Sequence, residues 1–257
     1  MSRLALALAL VLLAGGAQAH DTWLLPRSFR AGPGATLLVE LTSGMSFPDL
    51  DHAPEAQRLA VAKLRLVGQT TEIQKPERGE HALALTALVR YAGLAAVWVS
   101  TKPTTLDLEE ALVEEYLDEI GAQHVKRQWN ERKAPKTWRE TYRKHAKTFV
   151  RVGGSDESWK EPVGLDLEIV PESDPAELRA GTNLGLRVLK RGRPLPGFVV
   201  AGVAKGAARR LATTDAEGRA SLVLDKPGPW LLAGTEIRAK GDAWESDFTT
   251  LTLELAP

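Results

Sequence analysis

For most of its length the chain alternates apolar and polar residues over short stretches, set apart by glycine- and proline-rich turns. Residues 22–30 carry Trp23, Leu24, Leu25 and Phe29 around Pro26, which suits an edge strand, where the N–H that proline lacks is not needed for pairing. After the turn Gly32-Pro33-Gly34, residues 36–41 form an apolar run expected to be a buried strand. Residues 61–67, 81–90 and 93–101 read as further strands that close a first sandwich, with a polar β-rich stretch at 68–79 between them. The period then changes. Between 105 and 120, Leu106, Leu108, Leu112, Val113, Tyr116, Leu117 and Ile120 recur every three or four residues, the spacing of an amphipathic helix. Asp107, Glu109 and Glu110 stand where the helix dipole favours acids, Thr105 is the expected N-cap, and Gly121 ends the run. Residues 137–149 form either a second helix or an extended segment, and 105–146 as a whole is expected to be a helical insertion in a β domain.

Residues 163–170 alternate again, and Pro171-Glu-Ser-Asp-Pro175 is a turn at which one domain gives way to the next. Short apolar runs follow at 184–189, 197–203, 209–214, 219–224, 228–234 and 247–255, with turns between them. The expected fold class is therefore all-β with a helical insertion. It comprises two β-sandwich domains of immunoglobulin-like or transthyretin-like form, at 20–172 and 176–257. Phe198 and Trp230 are the expected anchors of the second core.

Residues 1–19 break this pattern. Arg3 is followed by the apolar run 4–13, then Gly15-Gly16 and Ala17-Gln18-Ala19. A basic start, an apolar core and a small-x-small end make a secretory signal peptide, with cleavage after Ala19. The run is too short to span a bilayer, which takes about 20 residues. The expected location is the periplasm, with no transmembrane segment left after cleavage. The chain then begins at His20, with 32 Lys and Arg against 33 Asp and Glu. That balance gives no basic surface for nucleic acid. There is no cysteine among the 257 residues, so thiolate metal sites, cysteine nucleophiles and disulfide staples are excluded.

Several segments carry a known pattern in order. They are Ala-His-Asp-Thr-Trp-Leu-Leu-Pro at 19–26, the run 108–121, Arg-Glu-Thr-Tyr-Arg-Lys-His-Ala-Lys at 139–147, 163–175, Leu-Lys-Arg-Gly-Arg-Pro-Leu-Pro-Gly at 189–197 and Thr-Thr-Asp-Ala-Glu-Gly at 213–218. Together they resemble the periplasmic proteins of domain-of-unknown-function family 4198, often labelled nickel- or cobalt-uptake components. The resemblance covers nearly all of the chain after residue 19. It implies a two-part periplasmic β protein tied to transition-metal handling, with a membrane transporter or an outer-membrane receptor as partner.

The candidate chemistry agrees with that implication. A histidine at a free N-terminus offers its α-amine and its imidazole Nδ1 to one metal ion, and such nitrogens as a class lose protons near neutral pH. His20 takes that place on cleavage, and Asp21 adds a carboxylate. His52, in the acidic loop Asp49-Leu50-Asp51-His52, and His145, in the 139–147 segment, are the further candidate ligands; His81 and His124 complete the imidazoles. Nitrogen donors suit Ni(II), Zn(II) and especially Cu(II), so nickel or cobalt follows from the resemblance and copper from the ligands. There is no His-x-His or His-Glu-x-x-His spacing. The expected function is metal binding or delivery, without catalysis; the alternative is an interaction or carrier module that uses no metal. Secreted copper oxygenases also begin with histidine on a β-sandwich, but no pattern around a second histidine matches theirs here.

Overall fold

The computed structural model describes residues 20–257 apart from Ala134, so the expected signal peptide at 1–19 lies outside the described residues. The protein is mostly β, with two short helices. A ten-stranded sheet runs through it. Its strand order is Arg210–Thr213, Val199–Val203, Gly228–Lys240, Ala243–Leu255, Trp138–Val152, Gly93–Thr101, Leu59–Leu66 and Gln69–Glu72. Arg30–Ala31 and Thr104–Leu108 also pair with Trp138–Val152. The sheet draws strands from both sides of the turn at 171–175, so the chain's two halves join at one sheet.

A four-stranded sheet packs on each face of this long sheet. One, in the order Asp21–Pro26, Thr36–Gly44, Leu83–Leu88 and Glu77–Arg78, shares a core with Ala95, Val97 and Val99. The other contains Leu167–Pro171, Thr182–Lys190, Arg193–Pro194 and Arg219–Leu224, and shares a core with Leu94, Ala96 and Trp98. Successive residues of a strand point to opposite faces, so Gly93–Thr101 feeds two cores at once. This explains why Leu94-Ala-Ala-Val-Trp-Val99 reads as an unbroken apolar run and not as an alternation. Each large side chain buried there contributes about 1.5–3 kcal/mol relative to exposure. Phe198 and Trp230 lie in the second core as expected. Phe198 rests directly on Gly234, where a Cβ would come within 2.5 Å of the ring.

The region 105–146 departs from the expected helical insertion in two ways. Its helices are Glu110–Glu119 and Gln123–Asn130. Residues 104–108, read as the helix start, are instead the strand Thr104–Leu108, with Glu109 as N-cap. Leu106 and Leu108 satisfy a two-residue period as well as a helical one, and the edge of Trp138–Tyr142 is there for them to pair with. The second is that 137–149, open in the sequence between a helix and an extended segment, is extended and forms most of the strand Trp138–Val152, so the helical part stops short of it. The two helices cover an aromatic cluster in which Trp138 stacks on Trp244 at 4.8 Å and meets Trp129 edge-on at 5.6 Å. Beneath them Glu140 is fully buried and accepts hydrogen bonds from Tyr116 (2.9 Å), Trp138 Nε1 (3.1 Å) and Ser246. Burial pushes its carboxyl above the ordinary value, and the three donors only partly offset that.

Candidate functional site

The edge strand Asp21–Pro26 lies antiparallel to Thr36–Gly44, with Thr22 opposite Ser43. Their hydroxyls meet at 2.7 Å. Ser43 in turn exchanges backbone hydrogen bonds with His52 at 2.9 and 3.0 Å, which fixes the acidic loop against the far side of the strand. His20 precedes Thr22 by two residues and keeps to the same side of the chain. His20 and His52 therefore line one open cleft of about 360 Å³, together with Glu55, Arg58, Tyr142 and Lys144.

Lys144 and Tyr142 reach this cleft from the long sheet. The Lys144 ammonium donates to the His20 carbonyl at 2.6 Å, which ties the start of the edge strand to the sheet beneath. Burial pushes Lys144 down to about 8, Asp21 pulls it back up and Arg58 lowers it further. Arg58 and Lys144 stand 6.0 and 5.9 Å from the centre of the Tyr142 ring. Glu55 is engaged by Arg78 at 3.3 Å.

Among the described residues, no three His, Asp or Glu side chains form a group ready to hold a metal ion. The two imidazoles in the cleft supply donors of the kind nickel and copper take. A third nitrogen, the main-chain N of His20, is an amide while residue 19 precedes it and becomes an amine if the chain is cut there. The other two candidates stand elsewhere. Asp21, next along the strand, lines a neighbouring cleft of about 310 Å³ with Gly44, Asp118 and Phe248.

His145 is on the opposite face of the strand Trp138–Val152 from Lys144. It is 2% exposed, its Nδ1 lies 3.0 Å from the Ser100 hydroxyl and its Nε2 lies 3.1 Å from Asp247 Oδ1. Both ring nitrogens are thus engaged, which leaves neither for a metal. The Asp247 carboxylate also takes Lys190, which reaches Glu236 at 2.8 Å. Burial alone pushes Asp247 up, but the hydrogen bonds and charges of His145 and Lys190 hold it down at about 2. The order hydroxyl, imidazole, carboxylate is that of a nucleophile relay. Here the carboxylate is shared with Lys190 and the imidazole is shut from solvent, so the chain of bonds satisfies a buried histidine.

Further along the same face, Lys147 forms a buried ion pair with Glu168 at 2.5 Å. Glu168 also accepts the backbone N–H groups of Val163 (2.8 Å) and Gly164 (2.9 Å). His145 and Lys147 are thus buried groups with polar partners, whereas Lys144 is half-buried at the cleft.

The sequence pointed to His20 and His52 but gave no reason to join Arg58, Tyr142 and Lys144 to them. A two-residue alternation at 138–152 was the signal available. It places Tyr142 and Lys144 on one face and Arg143, His145 and Lys147 on the other.

No curated protein matches the chain. Among solved structures it is similar to the Escherichia coli adhesin FdeC, with 14% identity over 93% of this chain and 65% of that one and a TM-score of 0.24. It is also similar to Bacteroides ovatus SGBP-B of a mixed-linkage glucan utilization locus, with 8% identity, 91% and 46% covered and a TM-score of 0.22. A third is the Yersinia pseudotuberculosis adhesin InvE, with 15% identity, 90% and 58% covered and a TM-score of 0.22. The chain spans less than two thirds of each of these, and scores of this size carry no inference for it. The family described as "Domain of unknown function (DUF4198)" matches residues 17–236, which is most of the sequence, and the chain belongs to that family.

Proposed function

We propose that the protein is exported to the periplasm, where it binds a transition-metal ion at its processed N-terminus and passes it to a membrane transporter or receptor. The metal is nickel or cobalt by the resemblance and copper by the donor chemistry. The observation that carries this reading is that His20 and His52, 32 positions apart in the sequence, line the same open cleft. Cleavage after Ala19 supplies the amine that completes a six-membered chelate ring, metal included, with the His20 imidazole Nδ1, and His52 approaches from the facing loop. The Lys144 bond to the His20 carbonyl holds the new terminus in place. An open cleft with few protein donors suits cargo that must also leave.

The test is a titration of the protein beginning at His20 with Ni(II), Co(II) and Cu(II). The expected result is one equivalent bound at micromolar affinity or tighter, equivalent to about 8 kcal/mol, and at least tenfold weaker binding in His20→Ala and in His52→Ala. N-terminal sequencing of the exported protein must give His20.

One observation favours the interaction-module reading. Met45, Val199 and Leu211 are exposed at 49%, 41% and 64% and border the cleft that Asp21 lines. On that reading His20→Ala leaves the function in vivo unchanged, whereas metal handling predicts its loss.

A further inference from the structure

The His20–His52 cleft carries more than metal donors. At about 360 Å³ this cleft is far larger than a bare ion and falls in the range of small-molecule sites. Its wall is also mixed in charge. Arg58 and Lys144 each lie about 6 Å from the centre of the Tyr142 ring, and Glu55, the acid among the described residues that line the cleft, is turned to Arg78. Two cations beside two imidazoles oppose a naked divalent ion, since like charges a few Å apart repel even where water screens them. They favour an ion whose charge is already offset by an anionic ligand. An arginine guanidinium pairs with a carboxylate through two parallel N–H···O bonds, and Lys144 and the Tyr142 hydroxyl supply further donors.

We infer that the cleft takes its metal as a complex with a small polycarboxylate, His20 and His52 binding the ion and Arg58, Lys144 and Tyr142 binding the carboxylates. This rests on the metal reading above and names the form of its cargo. Two imidazoles and one amine leave coordination positions for the chelator to keep, and volume for its carbon skeleton. The ligand need not be stripped before capture, and Arg58 selects the loaded chelate over the free ion. No covalent bond is made or broken; the ion exchanges some chelator or water ligands for histidine nitrogens.

Calorimetric titration of citrate into the protein beginning at His20, preloaded with one equivalent of Ni(II) and in parallel with Cu(II), tests this directly. The expected result is saturable uptake of one citrate with the metal retained on the protein through gel filtration. In Arg58→Ala citrate uptake weakens at least tenfold while affinity for the metal alone does not fall and, with one repelling cation removed, rises. Arg58 is partly exposed at the end of a single 3-10 turn, so this variant should fold, and an unchanged melting curve checks that. If metal binds well but citrate strips it off or is not taken up, the inference fails and the metal reading stands. If neither metal binds without citrate or with it, both fail. If citrate uptake is the same in Arg58→Ala, the assignment of the carboxylate site is overturned.

Discussion

Neighbouring residues of one strand build two different electrostatic regions. Tyr142 and Lys144 face an open cleft beside two histidines, while His145 and Lys147 face the other side and are closed in with carboxylates. On the closed side each charge has a partner at short range, and Glu168 also holds the backbone at 163–164. On the open side cations and imidazoles gather with the cleft's carboxylate directed to another arginine. A sealed network of this kind is costly to break because removing one partner strands a buried charge. An open cleft can lose a side chain to water at little cost and is free to bind something.

The largest expected effect comes from stranding Lys147. Glu168→Ala should destabilise the protein by about 3–5 kcal/mol, read as a lowered urea midpoint. Lys147→Met combined with Glu168→Leu should cost clearly less than Glu168→Ala alone. A loss under about 1 kcal/mol for the single change would show that Lys147 finds solvent and that the two faces differ little.

Next is Asp247. Its carboxyl is held at about 2 against an ordinary 3.8, so the folded state binds protons less readily than the unfolded one. The stabilisation is present above about pH 4 and is lost as pH falls toward 2, and it amounts to about 2 kcal/mol. Asp247→Asn should lower stability at pH 6 by a similar amount and flatten the acid limb of the stability curve between pH 4 and 2. An unchanged acid limb would remove Asp247 from the account of acid sensitivity.

The smallest effects on stability belong to the open side. His52→Ala and Arg58→Ala should each shift unfolding by no more than about 0.5 kcal/mol, as surface changes do, yet His52→Ala should weaken metal binding at least tenfold. A large stability loss with no change in ligand binding would make the cleft a structural feature like its opposite face.

How far the sequence foretold this division can be seen residue by residue. The apolar run at 94–99 announced a strand, though not one buried on both faces, and the turn-punctuated runs after 180 announced a β-rich half. That the two halves share a sheet depends on His145 lying alongside Thr249, a parallel pairing across more than one hundred positions that leaves no local trace. The helix start was misplaced because Leu106 and Leu108 fit both periods. The strand at 138–152 was obscured by its bases, since a run such as Arg143-Lys144-His145-Ala146-Lys147 looks solvated until Asp247 pairs with His145 and Glu168 with Lys147 from distant segments. The histidine at position 20 stood out through its place after a small-x-small end. Its cleft partners did not, because Arg58 and Lys144 reach it only through the stacking of one sheet on another.

In the proposed metal-binding function, processing at residue 20 creates the site. This is tested most directly in one Ni(II) and Cu(II) titration of the protein starting at His20, once with its terminal amine free and once with that amine acetylated. The free-amine form should bind one equivalent at micromolar affinity or tighter and the acetylated form at least tenfold more weakly, because acetylation turns the amine into an amide. Equal affinity in the two forms would contradict it.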